Sequence, residues 1–274
     1  MSQSIALAAP DVPVRRSWQI PLRLRRLISP LVLVLAWEAA SHLGVISPRT
    51  IAAPSVIMAS AWDLTVTGEL PENLLVSLAR VAVGFAIGVS AGIVLAVLSG
   101  LSRLGEEILD APLQMLRTLP FLALVPLFIL WFGIGELPKV ALVTLGAMFP
   151  VYLNLFAGIR GVDPKLIETA QVFGLSRLAL IRRVILPGAL PQLLVGLRYA
   201  LGVSWLSLVV AEQINASAGI GHLINDARDF LRTDVIVVGL MVYALLGLGA
   251  DALVRALEQR TLRWRPSLVS GARA

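Results

Sequence analysis

The chain has 274 residues, of which 57% are hydrophobic and only 15% are charged, and its mean hydropathy is +0.85. A soluble domain of this size carries about 25% charged residues, so the composition indicates a chain whose solvent is the lipid bilayer. The absence of cysteine excludes a disulfide framework and thiolate metal sites. Arginine at the ends of apolar segments explains the net charge of +6 better than nucleic acid binding does, so membrane lipid is an expected partner and nucleic acid is not.

Six apolar segments are long enough to cross the hydrocarbon core, which takes about 20 helical residues. These spans are predicted at residues 27–46, 74–99, 113–133, 138–158, 192–212 and 235–256. Between the first two, Pro48 and Pro54 punctuate an external stretch at 47–73, where residues 55–65 are predicted to form a helix on the membrane surface. The pattern predicts an all-α, polytopic membrane protein with about six transmembrane helices.

Domain boundaries follow from the same segments. We expect a cytoplasmic, disordered tail at 1–26, a transmembrane domain at 27–258 and a cytoplasmic C-terminal tail at 259–274. Arg15 and Arg16 before an apolar run resemble a twin-arginine export signal. Five further spans and no small-residue cleavage site favour an uncleaved first helix instead.

The distribution of arginine and lysine predicts the orientation of the chain in the cell (inner or plasma) membrane. With the N-terminus inside, sixteen basic residues lie in inner segments and four lie in outer segments or at their borders. The inner set is Arg15, Arg16, Arg23, Arg25, Arg26, Arg103, Arg160, Lys165, Arg177, Arg182, Arg183, Arg255, Arg260, Arg263, Arg265 and Arg273, and the outer set is Arg49, Lys139, Arg228 and Arg232. Basic residues concentrate on the cytoplasmic side of membrane proteins, so both termini and the loop at 159–191 are predicted to be cytoplasmic.

Two patterns of small or helix-breaking residues occur within the spans. Gly84, Gly88 and Gly92 recur every four residues and predict a close helix contact, either within one subunit or at a dimer interface. Three prolines, Pro120, Pro126 and Pro150, interrupt the third and fourth spans. These breaks are compatible with simple kinks or with carbonyls that face a water-filled path.

Ionisable residues inside the apolar stretches are costly unless they are paired or hydrated. These residues are Glu38, Arg80, Arg117, Arg198, Glu212 and Asp251. We expect Arg80 and Asp251 to snorkel or to form ion pairs, and Arg117 and Arg198 to snorkel towards the cytoplasm. Glu212 is predicted at the outer end of the fifth span. Deeper in that span, three side chains are candidates for lining a hydrated translocation path: Ser204, Trp205 and Ser207.

The cytoplasmic loop contains a polar helix-turn-helix at 163–191. Asp163 is a predicted N-cap, Pro164 fits the first helical turn, and Gly174 supplies a left-handed stop. Three apolar residues share one face of this first helix: Leu166, Ala170 and Phe173. A capped helix with one apolar face either docks onto a partner or lies on the lipid headgroups.

A second helix is predicted to follow in the same loop. Ser176 is its predicted N-cap, and the helix is expected to end before Leu186 and Pro187. It carries the three arginines Arg177, Arg182 and Arg183.

The sequence excludes the enzyme classes that we considered. A phosphate-binding P-loop needs Gly-Lys before Ser or Thr, whereas Lys139 and Lys165, the only lysines, each follow a proline. His42 and His222 lie far apart and form no His-Glu-x-x-His zinc motif. A Gly-x-Gly-x-Asp sequence that ends at Asp251 lacks the second in-span aspartate of an aspartyl protease. We therefore expect no catalytic residue, no metal ligand and no cofactor in this chain.

The loop resembles the EAA signature of permease subunits of bacterial ABC importers, which reads E-A-A, three residues, G, nine residues, I-x-L-P. The matching residues are Glu168, Thr169, Ala170, Gly174, Val184, Leu186 and Pro187, with Thr169 and Val184 as small-volume departures. The resemblance implies the MetI-like fold of a type I importer permease. It also implies that the loop is a coupling helix that contacts a separate ATPase through Asp163, Glu168, Thr169, Ala170, Phe173, Gly174, Leu186 and Pro187.

The resemblance extends over most of the chain but not over residues 1–26. Segments at 100–110, 114–120, 129–134, 184–191, 230–238 and 262–266 resemble the aliphatic sulfonate permeases, and taurine, nitrate and thiamine-precursor permeases are similar to these. This implies a homodimer with two cytoplasmic ABC ATPase subunits, which bind ATP and Mg, and a periplasmic or extracellular substrate-binding protein. An ATPase-independent channel or membrane scaffold is the alternative from a different class, and it would need no coupling helix.

Overall fold

The structure is a computed structural model that describes residues 22–47 and 50–262. Regular secondary structure in this part of the chain is helical throughout, and the helices are α1 (Leu22–His42), α2 (Pro54–Val66), α3 (Glu69–Leu101), α4 (Arg103–Thr118), a 3-10 turn (Phe121–Leu124), α5 (Val125–Phe132), α6 (Glu136–Arg160), α7 (Pro164–Val172), α8 (Arg177–Leu180), a π-helical turn (Ile181–Ile185), α9 (Leu186–Asn215), α10 (Ile220–Asp229) and α11 (Thr233–Thr261). The predicted tails lie outside the described residues up to residue 21 and from residue 263. Residues 22–26, which we expected to be disordered, belong to α1.

Four helices of the described residues are long and apolar enough to cross a membrane. They are α3, α6, α11 and one continuous run, Arg177–Ile214, that joins α8, the π-helical turn and α9. These helices confirm the predicted second, fourth, fifth and sixth spans. The predicted first span corresponds to α1, whose apolar part is the shorter segment Ile28–His42.

The third predicted span, at 113–133, is not one helix. Helix α4 ends at Thr118, and Leu119 adopts extended backbone (φ −67°, ψ 133°) because the following Pro120 disfavours the helical conformation of the residue before it. After the 3-10 turn, α5 has only eight residues, which rise about 12 Å and cannot cross the bilayer alone. By contrast, α6 remains helical through Pro150, so the helix does not end at that proline.

Helix α6 is the centre of the bundle, between α3 and α9. Its Tyr152, Val143 and Val151 are fully buried. The glycine stripe of α3 lies against α6: a Cβ on Gly84 would lie 2.7 Å from the Val143 Cβ, and a Cβ on Gly92 would lie 2.7 Å from the Met148 carbonyl oxygen. The small residues therefore allow a close contact within one subunit, which decides between the two alternatives left open by the sequence.

A separate apolar cluster joins α2 to α10 and α11. Ile57 and Leu64 of α2 are buried together with Leu223 of α10 and Val235 of α11. The Ser60 hydroxyl donates to the Asp234 carboxylate at 2.5 Å. The helix predicted at 55–65 is thus confirmed, and it packs against other helices through one face.

Candidate functional site

The start of the predicted coupling helix follows from two adjacent residues. The Asp163 carboxylate accepts a hydrogen bond from the backbone N–H of Lys165 at 2.9 Å, and Pro164 occupies the first turn of α7. The carboxylate satisfies one of the free N–H groups at the helix start. Proline has no N–H, so it leaves no unpaired donor at its own position. The predicted N-cap is confirmed. Thr169, in the middle of α7, donates its hydroxyl hydrogen to the Lys165 carbonyl oxygen at 2.7 Å.

The end of α7 requires a glycine. Gly174 has φ +74°, and a Cβ placed on it would meet no atom within 4 Å, so the constraint is conformational and not steric. The N–H of Gly174 donates to the Gln171 carbonyl at 2.9 Å, and the N–H of Leu175 donates to the Ala170 carbonyl at 3.1 Å. These two bonds form a Schellman motif, so the predicted left-handed stop is confirmed.

The capped helix exposes large apolar side chains. Leu166 is 57% exposed, Phe173 is 79% exposed, and the neighbouring Val172 is 86% exposed. Ala170 is buried, so the predicted apolar face is divided between a buried part and an exposed part. Glu168 is also exposed and has no ion-pair partner among the described residues.

The second helix of the loop does not end where we predicted. Ser176 caps it by accepting from the Ala179 N–H at 3.4 Å, but the helix continues through the π-helical turn into α9. The N–H of Leu186 donates to the carbonyl of Ile181, five residues earlier. Proline normally clashes with the carbonyl four residues before it, and the wider π turn lets Pro187 enter the first turn of α9 without ending the helix. The second helix of the loop is therefore continuous with a membrane span.

The three path candidates lie in α9, but two of them face the protein interior. Ser204 and Ser207 are fully buried, and their hydroxyls donate to the carbonyls of Ala200 at 2.7 Å and Val203 at 2.6 Å. The indole N–H of Trp205 is buried and has no hydrogen-bond partner in the described part of the chain. Their role in lining a path stays a prediction.

A buried carboxylate lies at the opposite end of α9 from the loop. Glu212 accepts hydrogen bonds from the Arg80 Nη1 at 2.6 Å and the Ser77 hydroxyl at 2.8 Å. It also accepts from the backbone N–H of Gly221 at 2.9 Å and the Tyr243 hydroxyl at 3.1 Å. The sequence placed Glu212 at the helix end beside a polar loop, whereas the structure buries its side chain completely.

Arg80 connects this carboxylate to a second one. Its Nε and Nη2 donate to the two oxygens of Glu136 at 2.5 and 2.7 Å, and its Nη1 also donates to the Ala218 carbonyl at 2.6 Å. Lys139 lies 3.1 Å from Glu136. The expectation that Arg80 pairs is confirmed, and the cluster ties together α3, α6, α9, α10 and α11.

Two more of the in-span charges, Arg198 and Asp251, also form ion pairs. Arg198 of α9 lies 2.9 Å from Glu258 and 3.3 Å from Asp251, both on α11, and Arg255 pairs with Asp251. Pairing is confirmed for Asp251. Arg198 forms an ion pair as well, with its side chain 42% exposed, and its snorkelling towards the cytoplasm stays a prediction.

The histidines have carboxylate neighbours. His42 lies 2.8 Å from Glu38, and His222 lies 3.5 Å from Asp226. Glu38 also accepts from the Ser55 N–H at the start of α2 at 3.0 Å. In the residues that the structure describes, no cluster of three or more His, Asp or Glu side chains could hold a metal ion.

Comparison with known proteins gives consistent matches. Residues 88–263 match a family model described as the binding-protein-dependent transport system inner membrane component. The chain is 49% identical over 246 residues to an Escherichia coli protein whose name describes an aliphatic sulfonates transport permease, which covers 90% of this chain and 94% of that protein. It is 36% identical over 260 residues to the taurine transport system permease protein of Escherichia coli, covering 91% and 94%. A crystal structure of an amino acid ABC transporter matches its fold with a TM-score of 0.60 at 19% identity, over 74% of this chain and 96% of the other.

Proposed function

We propose that this chain is the permease subunit of an ATP-driven importer of aliphatic sulfonates. The chain belongs to the family of inner membrane components of binding-protein-dependent transport systems. The chain is an all-α, multi-pass membrane protein with the MetI-like fold. The names of two similar proteins, one for aliphatic sulfonates and one for taurine, support an organosulfonate as the substrate. Taurine itself, nitrate and thiamine precursors are the alternative substrates.

One observation supports the coupling role more than any other. Helix α7 is fixed by a cap at Asp163 and a Schellman motif at Gly174, yet it exposes Leu166 and Phe173. Large apolar side chains on a short, rigid, polar loop are typical of a docking surface. We assign this surface to a separate ATPase, which binds ATP and Mg, because the chain itself has no Gly-Lys-Ser/Thr sequence.

The coupling role requires the loop to be cytoplasmic. The excess of arginine and lysine in the predicted inner segments, sixteen against four, supports this orientation, with both termini inside. Helix α10 and the loop before it then lie on the outer side, where a substrate-binding protein would deliver the ligand.

The proposed assembly contains two copies of this chain, two ATPases and one external binding protein. Exposed apolar side chains such as Leu130 and Leu245 give the helices surfaces that lipid or the second copy would cover. Binding of ATP draws the ATPases together and moves the loop, and the helix that continues from Arg177 to Ile214 turns the path outward. Hydrolysis resets the assembly. The path candidates Ser204, Trp205 and Ser207 are retained as part of this proposal.

Uptake measurements test the substrate and the mechanism together. We expect cells that carry the chain with its ATPase and binding protein to accumulate labelled alkanesulfonate faster than cells that lack the chain. A competing substrate is identified if taurine or nitrate uptake depends on the chain and alkanesulfonate uptake does not. Uptake that continues when the ATPase carries a disabled P-loop would instead indicate a channel.

A further inference from the structure

A cavity of about 370 Å³ lies between α4, the segment that joins α4 to α5, α6 and α9. Its volume falls within the range of pockets that hold small ligands. Most of the wall is apolar and includes Leu145, Phe149 and Val203, and the polar contributions come from Arg117, Asn154 and Tyr199. The cavity contains none of the three path candidates discussed above.

The cavity lies halfway along both of the helices that form its long walls. Helix α6 has 25 residues and contributes residues 145–154, which surround its midpoint. Helix α9 has 30 residues and contributes Tyr199 and Val203, again at its midpoint. The lining residues of these two helices lie within the predicted fourth and fifth spans, at 138–158 and 192–212, so a solute that crosses the membrane beside these helices passes the cavity.

Arg117 differs from the other arginines of the apolar stretches. Arg80 and Arg198 both form ion pairs, whereas Arg117 has no hydrogen bond or ion pair with any described residue. Arg117 is exposed at the cavity wall beside Leu116 and Leu119, so its guanidinium is free to bind an anion there. Its planar set of N–H donors matches the oxygens of a sulfonate or carboxylate group.

Two further donors surround the same space. The Tyr199 hydroxyl has no hydrogen-bond partner in the described part of the chain, and its side chain is 63% exposed. Asn154 donates one amide hydrogen to the Pro150 carbonyl at 2.8 Å and has a second hydrogen to offer. Leu124, the residue before α5, also lines the cavity, so the positive end of that helix lies at its edge.

We infer that this cavity is a binding site within the membrane for an anion with an apolar tail, such as an alkanesulfonate. Arg117 binds the anionic group, Tyr199 and Asn154 donate to its remaining oxygens, and the tail packs against Phe149, Leu145 and Val203. The apolar wall favours an alkanesulfonate over nitrate, which has no tail to bury. This inference rests on the proposed function for its substrate class, but the site itself can be tested separately.

The absence of native cysteine allows a direct test in the assembled transporter in nanodiscs. Val203→Cys places one thiol in the cavity, and Thr67→Cys places a control thiol on the exposed turn between α2 and α3. Each is treated with sulfonatoethyl methanethiosulfonate, which is itself an alkanesulfonate, and with its cationic trimethylammonioethyl counterpart. We expect the ratio of anionic to cationic rates to be about tenfold higher at Val203→Cys than at Thr67→Cys, the effect of one charge-assisted hydrogen bond.

Arg117→Gln should abolish this preference and raise the KM for alkanesulfonate uptake about tenfold. The matched control is Arg103→Gln, on the same helix but away from the cavity, which should change neither value. Tyr199→Phe keeps the ring, removes the hydroxyl and should raise the KM less, which covers the case in which Arg117→Gln does not assemble.

The proposed site would be refuted by equal ratios of anionic to cationic rates at the two thiols. It would also be refuted if both Arg117→Gln and Tyr199→Phe left this ratio and the KM unchanged. A transporter that shows the anion preference at Val203→Cys but takes up no sulfonate would leave the site intact and refute the proposed substrate.

Discussion

The buried carboxylate at the outer end of α9 should hold α10 against the bundle. Glu212 is fully buried and its partner Arg80 is 5% exposed, so Glu212→Ala leaves a buried guanidinium that contacts only the Glu136 carboxylate and the Ala218 carbonyl. The change also removes the acceptor of the Gly221 N–H at the start of α10. Removing one partner of a buried ion pair costs about 3–5 kcal/mol, and we expect the lower end because Glu136 still pairs with Arg80.

Local opening of α10 can be measured through a single thiol. Ala227 of α10 is 4% exposed and packs in the cluster with α2 and α11, so Ala227→Cys reacts with a maleimide only when α10 opens. A loss of about 3 kcal/mol should speed this reaction by about 100-fold. The matched control is Glu136→Ala, whose side chain is 58% exposed and whose loss should cost about 1 kcal/mol or less. Equal labelling rates in the two backgrounds would refute the assignment of Glu212 as the anchor of α10.

Three further predictions concern the coupling loop. Gly174→Val should destabilise the left-handed turn by about 1–2 kcal/mol and reduce uptake without preventing membrane insertion. Gly174→Asn, which tolerates the left-handed region, should retain most uptake. Equal uptake in both variants would contradict the requirement for a left-handed residue at position 174. Glu168→Lys inverts an exposed charge and should weaken co-purification of the ATPase more at low salt than at high salt, and unchanged co-purification and ATPase stimulation would count against docking. An impermeant maleimide added to intact cells, with any outer membrane permeabilised, should label Ser217→Cys and should not label Arg177→Cys. The reverse pattern would place the loop outside the cell, where it could not contact a cytoplasmic ATPase.

Features that depend on a few adjacent residues were predictable from the sequence. The cap at Asp163 and the left-handed Gly174 are each set by local backbone requirements, and both are present as expected. The spacing of Gly84, Gly88 and Gly92 likewise predicted a close helix contact. Its partner could not be predicted, because a stripe of small residues fits any smooth helix face.

Pairings between distant residues were not predictable in this way. Arg80 and Glu212 are 132 positions apart, and the sequence indicated only that each needed a partner or water. The cavity lined by Arg117, Asn154 and Tyr199 was missed for the same reason, since these residues come from three helices. The one available signal was an arginine in an apolar stretch, which we interpreted as snorkelling.

The helix break and the helix continuation have a common explanation in proline geometry. Pro120 ends α4 because it forces Leu119 into extended backbone, and the predicted third span becomes two helices. Pro187 was expected to separate the loop from the fifth span by the same rule. The π-helical turn before it shifts the hydrogen-bond register, so the chain remains helical from Arg177 to Ile214. Sequence alone does not distinguish these outcomes, because the π turn depends on how the segment packs.

This continuity gives α9 a particular place in the mechanism. One helix of 30 residues, about 45 Å long, begins in the loop at 159–191, passes the cavity at Tyr199 and ends just beyond the buried Glu212. In the proposed assembly, a displacement of the loop at Arg177 moves a helix that contacts both the proposed anion site and the outer cluster. Because Glu212 also holds the start of α10, a displacement of α9 changes the cavity and the outer surface together. The proposed coupling thus needs no second structural element between the ATPase side and the outer side of the membrane, since α9 reaches both.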